Sequence, residues 1–156
     1  MTERVIAPAV DQDDLGQVQT LFREYQQWLD VDLCFQGFEA ELRGLPGKYA
    51  PPAGLILLAR VDALVAGCVA FWPLDDQTCE MKRLYVRPPW RGKGLGREMA
   101  VRIVDAAREA GYERMVLDTL ERLTEARMLY RSLGFRSVEA YYDNPLDGVV
   151  YMERRL

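Results

Sequence analysis

At 156 residues, 49% hydrophobic and 28% charged, the chain is sized for one domain with a real core, and two ordinary domains are excluded. The formal net charge is −4 and there is no histidine, which removes Ser-His-Asp and Cys-His catalysis along with the commonest zinc ligand. Three cysteines (Cys34, Cys68 and Cys79), an odd number without metal-ligand spacing, argue against a disulfide framework. No signal-peptide run opens the sequence, and the longest weakly polar stretch is far short of the roughly 20 residues of a membrane span. The expectation is a reduced, cytoplasmic protein with no metal and no membrane partner, its acid and base chemistry carried by Asp, Glu, Tyr, Cys or Lys.

In chain order, a short strand fits residues 4–8. Asp11 or Asp13 then caps a helix whose apolar residues Leu15, Val18, Leu21, Phe22, Tyr25, Trp28 and Leu29 recur at steps of three and four. A shorter helix fits 35–44, ahead of a turn-rich stretch with Pro46, Pro51 and Pro52. Three apolar runs follow at 55–61, 64–73 and 79–86. The gaps between them are too short for crossover helices, so they read as consecutive antiparallel strands. After Pro88 and Pro89 a helix spans about 95–110, with Leu95, Met99, Ile103 and Ala106/Ala107 on one face and Gly111 ending it. A strand at 115–119, a helix at 124–133 before Gly134, and two closing strands at 137–142 and 149–154 complete the chain. The expected fold is α/β: a single domain over residues 1–156, with a mixed, mostly antiparallel sheet of six to seven strands flanked by about four helices.

Charge is unevenly spread. Residues 82–136 hold thirteen Lys and Arg against seven Asp and Glu, whereas the rest holds seven against seventeen. Such a block suits a polyanion or simply solvated helix faces. Inside it lies Arg91-Gly92-Lys93-Gly94-Leu95-Gly96-Arg97, between a strand and a helix. Free N–H groups at a helix start form an anion site, and glycine admits both close approach and unusual dihedrals. A Walker loop is excluded because Gly94 follows Lys93, and a dinucleotide fingerprint because its required glycine positions hold Arg97 or Met99. The pattern Arg/Gln-x-x-Gly-x-Gly/Ala fits.

The run from Cys79-Glu80-Met81-Lys82-Arg83-Leu84-Tyr85-Val86 through that loop resembles the cofactor-binding core of the GNAT superfamily of N-acetyltransferases. The stretch Ala126 to Phe135, with Leu129-Tyr130 and Gly134-Phe135, is similar to the superfamily's next helix. The element order agrees over nearly the whole chain, while Leu123 stands where many members carry Asn. The resemblance implies acetyl-CoA as cosubstrate and an amine acceptor; a small-molecule amine or amino acid is favoured over a protein amine because Lys82 and Arg83 could meet a carboxylate. Fourth and fifth strands would splay around the pantetheine arm, with backbone groups of Leu84 and Val86 pairing with it. Tyr85 and the loop residues Arg91, Gly92, Lys93, Gly94, Leu95, Gly96 and Arg97 complete the expected cofactor site.

Acetyl transfer needs a neutral amine, a stabilised oxyanion and a protonated leaving thiol. Neutralising an alkylamine of pKa near 10.4 at about pH 7.4 costs roughly 4 kcal/mol, against under about 1 kcal/mol for an α-amine near 7.7–8.0. Glu80 is the candidate base by resemblance, lying where some related acetyltransferases place a glutamate base, with Lys82, Leu84 and Val86 expected on its face of the strand; a strand glutamate paired with a neighbouring cation is the plain alternative. Tyr130 is the candidate acid by resemblance, and otherwise a half-buried helix tyrosine. Lys82 and Arg83 are candidate ligands for an acceptor carboxylate, and Asp118 or Asn144 candidate linings of the acceptor side. An idle acyl-CoA-binding module remains the alternative function. Overall acidity and the lack of a known module speak against nucleic acid. The acceptor stays open, as does a homodimer.

Overall fold

The structure, a computed structural model, describes residues 2–33 and 37–156. Seven strands form one sheet: β1 (Arg4–Pro8), β2 (Leu55–Val61), β3 (Leu64–Pro73), β4 (Thr78–Val86), β5 (Arg114–Leu120), β6 (Arg136–Val138) and β7 (Val149–Arg155). Their order is β1-β2-β3-β4-β5-β7-β6. Every neighbouring pair is antiparallel except β4 and β5, since the crossover between those two carries a helix.

Helix α1 (Gln12–Leu29) starts on Asp11, whose carboxylate accepts the Asp14 N–H at 2.8 Å. Val18, Leu21 and Phe22 are fully buried, which is the stripe read from the spacing. Helix α2 (Phe38–Arg43) is shorter than the 35–44 expected; residues 35 and 36 lie outside the described residues. These two helices and the turn at Tyr49 cover one face of the sheet, around Leu58, Cys68 and Ala70. Helix α3 (Leu95–Glu109) covers the other face, burying Leu95, Met99, Ala100, Ile103, Val104 and Ala107 against Val69, Phe71 and Met115. Full burial of each large apolar side chain there contributes about 1.5–3 kcal/mol. Helix α4 (Thr124–Ser132) joins the same core through Leu129 and Tyr130. Of the cysteines, Cys68 and Cys79 are free thiols buried in the core, and Cys34 lies outside the described residues.

Two departures from the sequence reading bear on function. The strand expected at 137–142 ends at Val138. And β4 does not alternate regularly: Cys68 pairs with Tyr85 but Ala70 with Lys82, so Arg83 and Leu84 together oppose Val69. This is a β-bulge, and Arg83 takes it at φ 62, a left-handed conformation that costs a non-glycine residue about 1–2 kcal/mol.

Candidate active site

Strands β4 and β5 are joined only over Thr78–Glu80 and residues 114–116. Beyond Glu80 the two part, and the remaining length of β4, with Leu84 and Val86, has no strand on that side among the described residues. The bulge sits in this separated stretch and resets which face each side chain takes. Glu80, Lys82, Arg83 and Tyr85 share the face of α1 and α2. Leu84 and Val86 pack with the α3 face. The expectation that Leu84 and Val86 flank Glu80 is therefore corrected: one extra residue inverts the alternation after Lys82.

A cleft of about 580 Å³ opens where the strands part, between the end of β4 and the start of α4. Leu84, Tyr85, Val86, Arg91, Gly94, Gly96 and Arg97 line it. Gly94 caps α3 at φ 82 and Gly92 lies at φ 77, both in the left-handed region that favours glycine. Glu98 donates its N–H back to Gly94, so the N–H groups of Leu95, Gly96 and Arg97 precede the first intrahelical bond and remain available to an anion. The Leu95 side chain is core. Lys93 faces a neighbouring hollow with Arg4 and Trp90. An extended amide chain ending in phosphates fits this arrangement: strand-edge backbone for the amides, helix N–H groups and arginines for the phosphates.

Several cleft contacts carry no motif. Arg4 reaches across from β1 to donate to the Lys93 carbonyl at 2.5 Å and to pair with Glu98 at 3.2 Å, which anchors the loop. Arg91 donates Nε to the Val86 carbonyl at 2.7 Å and lies over the rings of Trp28 and Tyr85. Arg97 donates to the Ser132 hydroxyl at 2.6 Å, tying the loop to α4. Leu123 stands at the N-cap of α4 without a side-chain capping bond, and it lines the cleft.

On the opposite side of the splay a pocket of about 440 Å³ is lined by Lys48, Trp72, Glu80, Lys82, Tyr141 and Tyr142. Glu80, 5% exposed, accepts from Trp72 Nε1 at 2.8 Å and from the Tyr141 hydroxyl, with Lys82 Nζ at 3.8 Å. Tyr142 donates in the same way to Asp118 of β5, and Asn144 donates to Tyr142 at 2.8 Å. These two tyrosine–carboxylate bonds explain why the strand ends at Val138: the connection leaves the sheet to reach across the splay. Arg83 is committed to Glu41 of α2, at 3.2 and 3.0 Å, while Tyr49 donates to the same carboxylate. Lys82 is thus the cation of β4 that lines the pocket, its ammonium 4.2 Å from the centre of Trp72.

Between pocket and cleft lies a small gap of about 20 Å³ bounded by Lys82, Leu84, Leu117, Asp118 and Tyr130; it shares Lys82 with the pocket and Leu84 with the cleft. Burial pushes the Tyr130 hydroxyl well above the ordinary phenol range, which keeps it protonated. Burial also raises Asp118, against the opposing pull of Tyr142, Lys82 and Arg83. Lys82 moves the other way, down to about 8, because burial and then the neighbouring Arg83 disfavour its charge. Glu80 and Tyr130 stand on opposite sides of the splay, one in the pocket and one at the gap.

The family model for the acetyltransferase (GNAT) family matches residues 17–135. An uncharacterised N-acetyltransferase of Schizosaccharomyces pombe is 46% identical over 141 residues, covering 89% of this chain and 86% of that one. An acetyltransferase of Streptococcus agalactiae superposes with a TM-score of 0.81 at 24% identity, over 98% of both chains. The Salmonella typhimurium protein yncA, solved with acetyl-CoA as its cofactor, gives 0.68 at 23% identity over 97% of this chain and 93% of that one.

Proposed function

The chain belongs to the GNAT acetyltransferase family, and from that premise we propose that it moves the acetyl group of acetyl-CoA to the primary amine of a small acceptor that also bears a carboxylate. An amino acid is the simplest such compound. The observation that carries this reading is the pocket on the far side of the splay, where a carboxylate, Glu80, and a cation, Lys82, lie side by side on one strand face. A zwitterionic acceptor matches both charges.

Bound acetyl-CoA supplies a thioester carbonyl activated toward amines. The loop from Arg91 to Arg97 holds the pyrophosphate through helix N–H groups, with Gly92 and Gly94 giving the backbone its turn and Arg91 and Arg97 adding charge. Leu84 and Val86 offer strand-edge backbone to the amides of the arm; Arg91 releases the Val86 carbonyl when the arm takes it. Lys82, with Lys48 nearby, meets the acceptor carboxylate. Glu80 receives the proton from the acceptor ammonium. A carboxylate offers about four acceptor sites, and Trp72 and Tyr141 bond to two of them here, with Lys82 paired at 3.8 Å, which leaves room for the ammonium. Tyr130 donates a hydrogen bond to the sulfur as negative charge gathers there. Its raised pKa makes early proton transfer costly, so the bond itself stabilises the leaving group.

The test is an amine panel built in matched pairs, each amino acid against the amine that lacks its carboxylate, with thiol release and product mass recorded. Higher kcat/KM for the carboxylated member of each pair is expected. Equal or reversed preference sinks the acceptor class, and thiol release with none of the amines sinks acetyl transfer to small amines.

A further inference from the structure

Of twenty basic residues only three are lysines: Lys48, Lys82 and Lys93. Lys48 and Lys93 are exposed, whereas Lys82 is 9% exposed. Lys82 is also the lysine that bounds both the proposed acceptor pocket and the small gap beside it, whose wall at Leu84 is shared with the proposed cofactor cleft. An acyl group delivered along β4 to this gap arrives beside a primary amine belonging to the protein itself.

We propose that, when no acceptor fills the pocket, Lys82 takes the acetyl group from bound acetyl-CoA, so that the protein modifies its own acceptor site. The proposal rests on the acetyl-CoA reading of the preceding subsection. The neutral Nζ forms a bond to the thioester carbonyl carbon, and the C–S bond breaks with its electron pair passing to sulfur. The proton shed by nitrogen goes first to Glu80, 3.8 Å away, and then to the thiolate. The products are Nε-acetyl-Lys82 and the coenzyme A thiol, with no oxidant or further reactant required.

The groups around Lys82 favour this fate. Trp72 of β3 lies under the ammonium; Glu80 and Arg83 flank it on β4, Asp118 faces it from β5 and Glu41 acts from α2. Lys48, Tyr141, Tyr142 and Asp143 line the same pocket. Burial and Arg83 outweigh the carboxylates and bring Lys82 down to about 8. With that value the uncharged fraction climbs only about tenfold between pH 7 and pH 9, whereas an ordinary lysine near 10.4 gains about a hundredfold over the same range. Acetylation removes the charge that meets the acceptor carboxylate and fills part of the pocket. An occupying acceptor opposes it, because its carboxylate holds Lys82 in the ammonium form.

The experiment incubates the wild-type protein with acetyl-CoA and no amine, at pH 7 and pH 9. Peptide-resolved mass spectrometry follows acetylation at each of the three lysines, and coenzyme A binding is measured on the same preparation. Lys82 is expected to be modified faster than Lys48 and Lys93 at pH 7, with a rate that rises about tenfold to pH 9. Excess coenzyme A should suppress Lys82 and spare the other two. A protein that binds coenzyme A yet leaves Lys82 unmodified, or labels it no faster than the exposed lysines, overturns the proposal and leaves acetyl transfer standing. Failure to bind coenzyme A overturns both.

Discussion

The two sides of the splay are built by different means. The side proposed for the cofactor is made largely of backbone: a loop with two glycines in the left-handed region, the first turn of α3, and the edge of β4 beyond its pairing with β5. The side proposed for the acceptor is made of side chains drawn from far apart in sequence: Glu41 and Lys48, Trp72, Glu80, Lys82 and Arg83, Asp118, and Tyr141 with Tyr142. Backbone sites need particular residues at fixed spacing and leave a motif behind. Side-chain sites need only that distant positions converge. The first side can hold the same ligand across many relatives, while the second can be rebuilt without touching it.

If that division holds, the largest effect belongs on the acceptor side and in turnover. Glu80→Gln should lower kcat by about 10²–10⁴-fold on an alkylamine acceptor, the usual worth of a general base, with affinity for acetyl-CoA unchanged. The defect should shrink as pH rises and solvent supplies neutral amine. On an acceptor with an α-amine near 7.7–8.0 the loss should be much smaller, because a large share is already neutral. Full activity on an alkylamine across the pH range would remove Glu80 from the chemistry.

Tyr130→Phe probes the boundary between the two sides. Loss of the hydroxyl should cost about 10²-fold in kcat, comparable to removing one donor from an anion-stabilising site, with little change in coenzyme A affinity. Tyr130 also packs edge-on against Phe135, a contact that phenylalanine preserves, so unaltered turnover would return the residue to the core.

The smallest effect tests the backbone side alone. A substitution at Gly94, at φ 82, strains the loop itself. Gly96 is cleaner: a Cβ there meets only Val86 at 3.6 Å, an ordinary contact. Gly96→Ala should weaken coenzyme A about tenfold, or 1.4 kcal/mol, by holding the phosphate off the helix N–H groups. Thermal unfolding should at the same time show a gain of about 0.5 kcal/mol, since alanine is the better helix former. Binding and stability moving in opposite directions is the signature of a glycine kept for its ligand.

The same division explains what the sequence could reveal. Strands β1, β2 and β3 match their expected limits residue for residue, because short apolar runs bounded by turn residues mark them. The loop followed from its glycine spacing, and α3 and α4 from apolar residues at helical steps closed by Gly111 and Gly134. The bulge did not, since no glycine announces it: Arg83 holds φ 62 with its guanidinium secured by Glu41. That hidden residue inverted the expected faces of Leu84 and Val86 and put Lys82 and Arg83 on one side. Nor could periodicity show that Tyr141 and Tyr142 leave the sheet, because their destinations, Glu80 and Asp118, lie 61 and 24 residues away. Arg4 escaped for the same reason, bonding the loop across 89 residues.

The account rests most directly on the cleft at the splay, and calorimetric titration of acetyl-CoA into the purified protein tests it. Binding of one acetyl-CoA per chain is predicted, with affinity falling as salt rises because the phosphates are held partly by Arg91 and Arg97. A folded protein that takes up neither acetyl-CoA nor coenzyme A would contradict the central claim.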